Sequence, residues 1–327
     1  MNDSFVNKIF QKNIPFQKLA IYLFLYQYQN NKIYKSWCDE LKVDPAKINS
    51  VTSIPFLPIS FFKTHKVLCG DENYETVFES SGTTQRVNKS KNYIKHLDLY
   101  QRSFTTCFNL FYRDAQDWCI IGLLPSYLQQ KNSSLIKMVD DLITLSKNID
   151  SGYYLNDYKN LPALLTRLQH QQQKILLIGV TYALLDFAEQ FPTKLNSLTV
   201  VMETGGMKGR RTELTRQEVH TILKQQLNVN TVHSEYGMTE LLSQAYSKAD
   251  GRFYCPPWMK VLVRDEDDPF KINTTGKGIL NVIDLANIYS CAFIATDDAG
   301  EIFEDGSFTV MGRVDNSDIR GCSLLAV

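Results

Sequence analysis

The chain has 327 residues, of which 44% are hydrophobic and 21% charged, and its 35 basic side chains balance its 35 acidic ones. This length exceeds that of one compact core, so we expect either one large domain with lobes or two domains. The zero net charge argues against a nucleic-acid partner or an anionic membrane surface.

The cysteines and the N-terminus bear on where the protein resides. Seven cysteines are scattered without a C-x-x-C pair, which argues against a disulfide framework and a thiolate zinc site and favours a reducing compartment. The opening residues MNDSFVNKIFQKN lack the features of a signal peptide, and no stretch reaches the roughly 18 apolar residues of a membrane span. We therefore expect a cytoplasmic protein without a membrane span.

The first predicted part comprises residues 1–70. Its apolar residues recur at mostly helical spacing as far as the break at Asp44 and Pro45, which predicts an amphipathic helical cap. The following stretch, SIPFLPISFFKTHKVL, contains two prolines that forbid a long helix. Its aromatic residues favour a buried extended segment.

The second predicted part, residues 71–250, alternates between strand and helix patterns. The β-like runs are TVF, WCIIGLL, KILLIGV and SLTVVME, and the helical patterns are HLDLYQRSFTTCFNLF, SSLIKMVDDLITL, TYALLDFAEQF and ELTRQEVHTILKQQL. Thr215 and Glu218 form a predicted capping box at the last helix. The alternation predicts an α/β core of layered sheet and helices.

The third predicted part, residues 251–327, has a different pattern. Short strand-like runs, MKVLVR, GILNVID, CAFIAT and SFTVMG, alternate with turns rich in Gly, Asp and Asn. This pattern predicts a small β-rich lobe followed by a C-terminal tail.

Two short motifs carry candidate chemistry. SSGTT, residues 80–84, follows a β-like run, and its glycine and hydroxyls could surround phosphate oxygens with N–H and O–H donors. No Walker loop is present, and a solvated linker is the alternative. HSEYGMTELLSQAY, residues 233–246, turns at Gly237 and is predicted to enter a helix through Thr239 and Glu240. The alternative here is an aromatic core residue beside a solvated carboxylate.

In this order the two motifs resemble two signature motifs of the adenylate-forming enzymes, which include acyl-CoA synthetases, luciferases and peptide-synthetase adenylation domains. Three further segments are similar to motifs of that superfamily: METGGMKGRR, IATDDAG and MGRVDNSDIRG. One branch is more similar over nearly the whole chain. The segments IPFLPISFFKTH, LLPSYLQQKNSSLIKMVDDLI, METGGMKGR, HSEYGMTE and DIRGCSL resemble the acyl-protein synthetase family of the LuxE type.

The resemblance implies the fold of the large N-terminal domain of adenylate-forming enzymes, with layered α/β lobes plus a small β-rich lobe. Because the chain stops at Val327, we expect it to lack the usual mobile C-terminal lid domain and its lysine. The resemblance further implies an AMP-forming ligase that uses ATP and Mg²⁺ to activate a carboxylic acid as an acyl adenylate. A fatty acid is the expected substrate. The acyl group would then pass to a cysteine, for delivery to an acceptor protein such as an acyl reductase.

Two other functions are compatible with the sequence. One is a ligase that transfers the acyl group to coenzyme A or a carrier protein. The other is a non-catalytic subunit that binds nucleotide and serves as the scaffold of a reductase complex. Acid-dependent exchange of pyrophosphate into ATP would exclude the second, and thioester on free coenzyme A without protein labelling would favour the first.

The resemblance also implies roles for individual residues. Glu240 would hold Mg²⁺ through its oxygens, and Thr239 would contact the α-phosphate. Tyr236 would offer a flat face to adenine, and Asp298 would accept hydrogen bonds from the ribose diol. Arg313 would bind ribose or phosphate. Gly205 and Gly206 would belong to a small-residue loop along the adenine, Gly237 to the turn after Tyr236, and the loop around the phosphates would be formed by Ser80, Ser81, Gly82, Thr83 and Thr84.

Cys322, in DIRGCSLLAV, is the predicted acyl acceptor, because a thiol is a suitable nucleophile and the residue lies near the chain end. The alternative is a small apolar residue in the tail. His233 could line an acyl pocket or be a core imidazole.

The sequence departs from the superfamily pattern in the hydroxyl-rich loop. Gln85 follows Thr84 where the superfamily continues with glycine, a proline is missing, and Arg86, Lys89 and Lys91 are candidates for the missing positive charge. After Asp315 the spacing also differs, so no hinge residue is assigned there.

Overall fold

The computed structural model describes residues 3–11, 14–80, 89–125, 132–155, 158–205, 214–266 and 268–314. The helices within these ranges are α1 (Asp3–Ile9), α2 (Phe16–Asn30), α3 (Lys32–Glu40), α4 (Phe61–Thr64), α5 (Leu97–Tyr112), α6 (Ser134–Ser146), α7 (Leu161–His170), α8 (Thr181–Gln190) and α9 (Arg216–Leu227). The strands are β1 (Leu57–Pro58), β2 (Thr76–Glu79), β3 (Lys91–Ile94), β4 (Trp118–Leu123), β5 (Gly152–Tyr153), β6 (Lys174–Val180), β7 (Thr199–Thr204), β8 (His233–Tyr236), β9 (Ala245–Ser247), β10 (Phe253–Tyr254), β11 (Met259–Arg264), β12 (Ile272–Asn273), β13 (Gly276–Asp284), β14 (Phe293–Ile302) and β15 (Phe308–Arg313).

The chain forms two compact units, each built from segments that are separated in sequence. Unit 1 contains Met1–Phe104, Gly237–Gln244 and Tyr254–Val314, and the described part of unit 2 contains Thr105–Tyr236 and Ala245–Phe253. The three-part division of the sequence at residues 70 and 250 stays a prediction.

Unit 1 contains an antiparallel sheet in the order β12, β11, β13, β14, β15, and β1 pairs with β14 in parallel. The N-terminal helices pack on this unit through a buried glutamine. The Gln27 side chain donates to the carbonyls of Asn287 and Ile288 at 2.9 Å each, and accepts from the N–H of Ala292 at 2.9 Å. Because all polar atoms of this buried side chain are bonded, the predicted helical cap is fixed to the β-rich lobe.

The sheet of unit 2 has the order β5, β4, β6, β7, β8, β9. The pairs between β4, β6, β7 and β8 are parallel, whereas β9 runs antiparallel to β8. Strands β4 and β6 are buried almost throughout, as expected for strands with helices on both faces. In such sheets, ligand sites lie at the carboxyl ends of the strands, which directs attention to the ends of β7 and β8.

Most elements predicted from the sequence are confirmed. The four helical patterns of the α/β core correspond to α5, α6, α8 and α9, and the capping box at Thr215 and Glu218 is present. The four strand-like runs of the C-terminal lobe correspond to β11, β13, β14 and β15. Helix α7 was not predicted. The sequence also did not show β3, which places SSGTT between two strands of an antiparallel hairpin rather than between a strand and a helix.

The helix predicted to begin at Thr239 and Glu240 is wrong, because residues 237–244 form turns before β9. The cause is a distant carboxylate. Asp284 accepts hydrogen bonds from the N–H groups of Leu242 at 2.8 Å and Ser243 at 2.9 Å. These donors would otherwise bond to carbonyls of the preceding turn, so the side chain of Asp284 replaces the helical hydrogen bonds.

Candidate active site

The base of the hydroxyl-rich loop is closed by two serines. The N–H of Ser80 donates to the carbonyl of Ser90 at 3.0 Å, and the N–H of Ser90 donates to Ser80 Oγ at 3.0 Å. Both serines are buried. The two ends of the loop are therefore held together. Ser81, Gly82, Thr83 and Thr84 lie outside the described residues.

Two of the three proposed cationic side chains near this loop pair with one glutamate. Lys89 and Lys91 each place Nζ 3.8 Å from a carboxylate oxygen of Glu79, and all three side chains are partly exposed. Such pairs contribute little to stability, so both lysines can exchange Glu79 for another anion. Arg86 lies outside the described residues.

A buried asparagine links the hairpin to the Thr239–Glu240 turn. Asn92 lies on β3 opposite Phe78, and its Nδ2 donates to the carbonyl of Thr239 at 3.1 Å, although the two residues are 147 positions apart. Asn92 is fully buried. Within unit 1, this bond holds the strand that follows SSGTT against the second signature motif.

The Thr239–Glu240 turn is fixed from its other side by the loop after β13. Asn287 Nδ2 donates to the carbonyls of Glu240 and Cys291, both at 2.8 Å. The hydroxyl of Ser243 donates to Asp284 at 2.6 Å. Burial raises the pKa of Asp284, although this hydrogen bond and several backbone N–H groups oppose the shift. Glu240 itself is fully buried, which excludes the alternative of a solvated carboxylate at this position.

The predicted ribose aspartate and the predicted arginine are in contact. Asp298 on β14 lies opposite Arg313 on β15, and Arg313 Nε donates to Asp298 Oδ1 at 3.0 Å. Asp298 is buried, whereas the Arg313 side chain keeps 20% of its surface exposed. The ion pair fixes the orientation of the Asp298 carboxylate.

A second arginine lies close to this aspartate in unit 1. Arg264 donates to Asn281 Oδ1 and to the carbonyl of Thr296, both at 2.6 Å. Burial lowers the pKa of Arg264, and the charges of Asp297 and Asp298 oppose that shift. The positive charges of Arg264 and Arg313 therefore lie near the negative charge of Asp298, and Arg264 also lies near Asp297.

In unit 2 the predicted adenine loop begins directly after β7. Gly205 has a φ of +68°, in the left-handed region that favours glycine, and its carbonyl accepts from Thr181 Oγ1 at 2.6 Å. Thr181 starts α8, so the turn out of β7 is fixed to the neighbouring helix. Gly206 lies outside the described residues.

Two buried glutamates at the ends of β7 and β8 were missed as functional candidates. Burial alone would raise the pKa of Glu203, but His220 and Arg216 hold it below its ordinary value. Burial raises the pKa of Glu235 to about 7; the Thr204 hydroxyl opposes this shift, and the charge of Glu203 adds to it. For Glu203 the available signal was a carboxylate within the mostly apolar run VVMET, whereas HSEY, around Glu235, is polar and gave no such signal.

His233, which the sequence offered either as a lining residue of an acyl pocket or as a core imidazole, contacts a buried tyrosine in unit 2. Its Nδ1 lies 3.1 Å from the hydroxyl of Tyr112. Burial lowers the pKa of His233 to about 4, and the charges of Lys248 and His220 add to the shift. The ring is therefore neutral near pH 7, and the core interpretation is favoured.

The predicted site residues are distributed over both units. Ser80, Gly237, Thr239, Glu240, Asp298 and Arg313 belong to unit 1, and Gly205 and Tyr236 belong to unit 2. Within unit 1 the structure brings Asp298 together with Arg313 and connects the Thr239 turn to the hairpin of Ser80. Cys322 and Asp315 lie outside the described residues.

The carboxylates of the described residues limit the kind of Mg²⁺ site that this chain can form. Among the described residues, no group of three or more His, Cys, Asp or Glu side chains is arranged to hold a metal ion. Mg²⁺ in nucleotide sites needs only one or two carboxylates when phosphates and water supply the other oxygens. The single carboxylate of Glu240 fits that kind of site and does not fit a cage built of protein ligands alone.

A sequence model of the family described as "Acyl-protein synthetase, LuxE" matches residues 6–326. The chain belongs to the LuxE acyl-protein synthetase family. This confirms the family predicted from the sequence and, with it, an acyl ligase. The coenzyme A alternative and the scaffold alternative are not favoured.

Two curated relatives of this LuxE-family chain are named long-chain-fatty-acid–luciferin-component ligase. The protein from Aliivibrio fischeri is 24% identical over 340 residues, which cover 96% of this chain and 88% of the relative. The protein from Vibrio harveyi is 22% identical over 323 residues, which cover 91% of this chain and 84% of the relative.

Solved structures show the same fold. ATP-bound MatB from Rhodopseudomonas palustris superposes with a TM-score of 0.54 at 16% identity, covering 72% of this chain and 47% of MatB. The ATP-bound RpMatB-BxBclM chimera B1 gives a TM-score of 0.54 at 18% identity, with the same coverage. The LuxE-family chain thus spans about half the length of these proteins. The predicted α/β fold of the N-terminal domain of adenylate-forming enzymes is confirmed.

No described helix of the LuxE-family chain combines the length and apolar character needed to cross a membrane.

The pKa of Glu235 gives a testable pH dependence of stability. Because the folded-state pKa of about 7 exceeds the ordinary value of 4.5, the folded chain binds more protons than the unfolded chain between these values. The free energy of unfolding therefore falls as the pH rises through this window. We expect Glu235→Gln to gain roughly 2 kcal/mol over the unmodified chain between pH 5 and pH 7.5, as measured by urea unfolding.

The matched control is Glu72→Gln, at a side chain that is 88% exposed. Its stability difference from the unmodified chain should stay constant over the same pH range. A constant difference for Glu235→Gln as well would show that this carboxylate is ionised in the folded chain.

Proposed function

We propose that the chain uses ATP to convert a fatty acid to an acyl adenylate and then passes the acyl group to one of its own cysteines, for delivery to an acceptor protein. The observation that carries this proposal lies in unit 1. Asn92 bonds the β2–β3 hairpin to the Thr239–Glu240 turn, and Ser80 and Ser90 close the base of the SSGTT loop on the same hairpin. The names of the two relatives support a long-chain fatty acid, and the ATP-bound MatB structure supports the nucleotide.

The chemistry explains why two steps are needed. A carboxylate does not react directly with a thiol, because oxide is a poor leaving group. An oxygen of the carboxylate instead attacks the α-phosphorus of ATP, and pyrophosphate leaves. The thiolate then attacks the acyl carbon, the acyl–oxygen bond breaks, and AMP leaves with that electron pair.

The described residues suit the nucleotide side of this reaction. The Asp298 carboxylate, oriented by Arg313, can accept hydrogen bonds from the ribose diol. Thr239 offers a hydroxyl to the α-phosphate, and its backbone is fixed by Asn92. Tyr236, which is only 9% exposed, offers the face of its ring to adenine. Within unit 1, the Asp298 carboxylate and the Thr239 backbone are held by hydrogen bonds before the substrate arrives, and groups held in this way need little reorganisation during the reaction.

Glu240 is the proposed carboxylate ligand of Mg²⁺, together with oxygens of the ATP phosphates. When bound, the metal neutralises phosphate charge and so permits the approach of a second anion. Because Glu240 is fully buried, its side chain must turn or its surroundings must open before it contacts the metal.

The proposal includes an acyl reductase as the acceptor protein. It also includes a cytoplasmic location, which the scattered cysteines support.

Exchange of labelled pyrophosphate into ATP tests the proposal directly. We expect exchange that depends on the acid, measured over a panel of short-chain, long-chain and aromatic acids, with preference for long chains. ATP binding without exchange would favour the scaffold alternative. Thioester on free coenzyme A, without labelling of protein, would favour the coenzyme A ligase.

The stacking role of Tyr236 makes a separate prediction. Tyr236→Ala is expected to weaken ATP binding by roughly 1 to 2 kcal/mol, because the aromatic contact area is lost. Calorimetric titration with ATP measures the effect. Tyr236→Phe keeps the ring and should bind ATP with nearly unaltered affinity. Equal affinity of Tyr236→Ala and the unmodified chain would refute stacking at this residue.

A further inference from the structure

One arginine of unit 2 contacts several residues around the proposed adenine-binding ring. Arg216 is the first residue of α9, and its Nε donates to Glu203 Oε1 at 3.2 Å. Its guanidinium carbon lies 5.1 Å from the ring centroid of Phe253. A Cβ added to Gly251 would lie 3.1 Å from Arg216 Cδ, so the glycine leaves room for the arginine stem. Two segments that are distant in sequence, the end of β7 and residues 251–253, thus meet at the Arg216 side chain.

Both partners of Arg216 lead to residues of the nucleotide site. The Phe253 ring packs against Tyr236, with centroids 5.8 Å apart and an interplanar angle of 59°. Glu203 precedes Thr204 and Gly205, where the predicted adenine loop begins. The guanidinium therefore lies between the ring that supports Tyr236 and the strand end that starts the loop.

The groups around Arg216 are largely buried. The Glu203 side chain is 8% exposed and that of Arg216 is 27% exposed, so their attraction is only partly screened by water. His220 Nε2 lies 3.7 Å from the same oxygen of Glu203. A planar guanidinium can stack on Phe253 while it donates in its own plane to Glu203, whereas an ammonium group cannot reproduce both contacts.

We propose that Arg216 is a positioning residue for the nucleotide, which orients the Tyr236 ring through Phe253 and the start of the Gly205 loop through Glu203. The inference rests on the proposed function, because Tyr236 must stack on adenine for the orientation of its ring to matter. It assigns Arg216 to the ATP side of the reaction. Loss of the side chain should therefore raise the KM for ATP and leave the KM for the fatty acid unchanged.

Pyrophosphate exchange with Arg216→Met and Arg216→Lys provides the test. We expect the KM for ATP to rise roughly tenfold in Arg216→Met and by an intermediate factor in Arg216→Lys, which keeps the charge but not the planar group. The KM for the acid should not change. Arg167→Met is the matched control, because Arg167 forms an ion pair of 2.7 Å with Asp150 in the same unit. This substitution should leave both KM values unaltered.

Phe253→Leu separates positioning from folding, because it keeps the contact between Arg216 and Glu203 and removes only the stacked ring. A raised KM for ATP in this variant, at an unchanged melting temperature, supports the inference even if Arg216→Met does not fold. An unchanged KM for ATP in Phe253→Leu and in a folded Arg216 variant overturns it. If the unmodified chain shows no acid-dependent exchange, the proposed function itself fails, which is a distinguishable result.

Discussion

Glu240→Gln is expected to lower acid-dependent pyrophosphate exchange by about a hundredfold or more, because it removes one formal charge from the proposed Mg²⁺ site while keeping the shape of the side chain. The surroundings of the turn should persist, since Asn287 bonds to the backbone carbonyl of residue 240 and not to its side chain. Exchange rates measured over a range of Mg²⁺ concentrations test this expectation, with circular dichroism to verify folding.

Glu240→Asp is the matched control, because it retains the charge on a shorter side chain. We expect it to retain more exchange activity than Glu240→Gln, with a higher Mg²⁺ requirement than the unmodified chain. Full exchange activity in Glu240→Gln at low Mg²⁺ would remove Glu240 from the mechanism.

Cys322→Ala is expected to retain pyrophosphate exchange and to lose all covalent acyl labelling. The state of the other cysteines supports this prediction. Five of them are buried: Cys38, Cys69, Cys107, Cys119 and Cys291. Burial raises the pKa of the half-buried Cys255 to about 12. At pH 7 such a thiol is roughly one part in 10⁵ thiolate, whereas an ordinary thiol is a few per cent thiolate.

The measurement uses labelled fatty acid with ATP and Mg²⁺, followed by peptide mass mapping of hydroxylamine-sensitive label. Cys255→Ala is the matched control and should be labelled like the unmodified chain. Label on Cys255 or Cys291, or label that survives Cys322→Ala, would contradict the assignment and move the acyl acceptor into the described part of the structure.

Local patterns predicted the parts of the fold that depend on local contacts. The capping box at Thr215 depends on residues three positions apart, and the strands β11, β13, β14 and β15 depend on apolar runs between turn residues. Asp298, the predicted ribose ligand, and Arg313 were proposed from short motifs, and the structure places them in register on adjacent strands. These features need no knowledge of distant residues.

The errors and omissions come from contacts between residues far apart in sequence. The segment after Thr239 has a helical pattern, but Asp284, more than 40 residues later, takes the N–H groups that a helix would use. The link from Asn92 to Thr239 spans 147 residues. In the sequence Arg216 is an ordinary helix residue, because only the structure shows that its guanidinium lies over the ring of Phe253. Sequence patterns identify candidate chemical groups, whereas the residues that orient them become visible only in the folded chain.

The discontinuity of unit 1 has a consequence for how the chain folds during synthesis. Its segment Tyr254–Val314 leaves the ribosome after both described segments of unit 2. Until β14 is made, β1 lacks its partner, and Gln27 lacks the backbone groups with which it bonds some 260 residues later. Contacts of such separation form slowly. We therefore expect unit 2 to fold first, with the apolar faces of the N-terminal helices exposed to chaperones in the meantime. The pairing of Asp298 with Arg313 would then be among the last steps in the folding of the nascent chain.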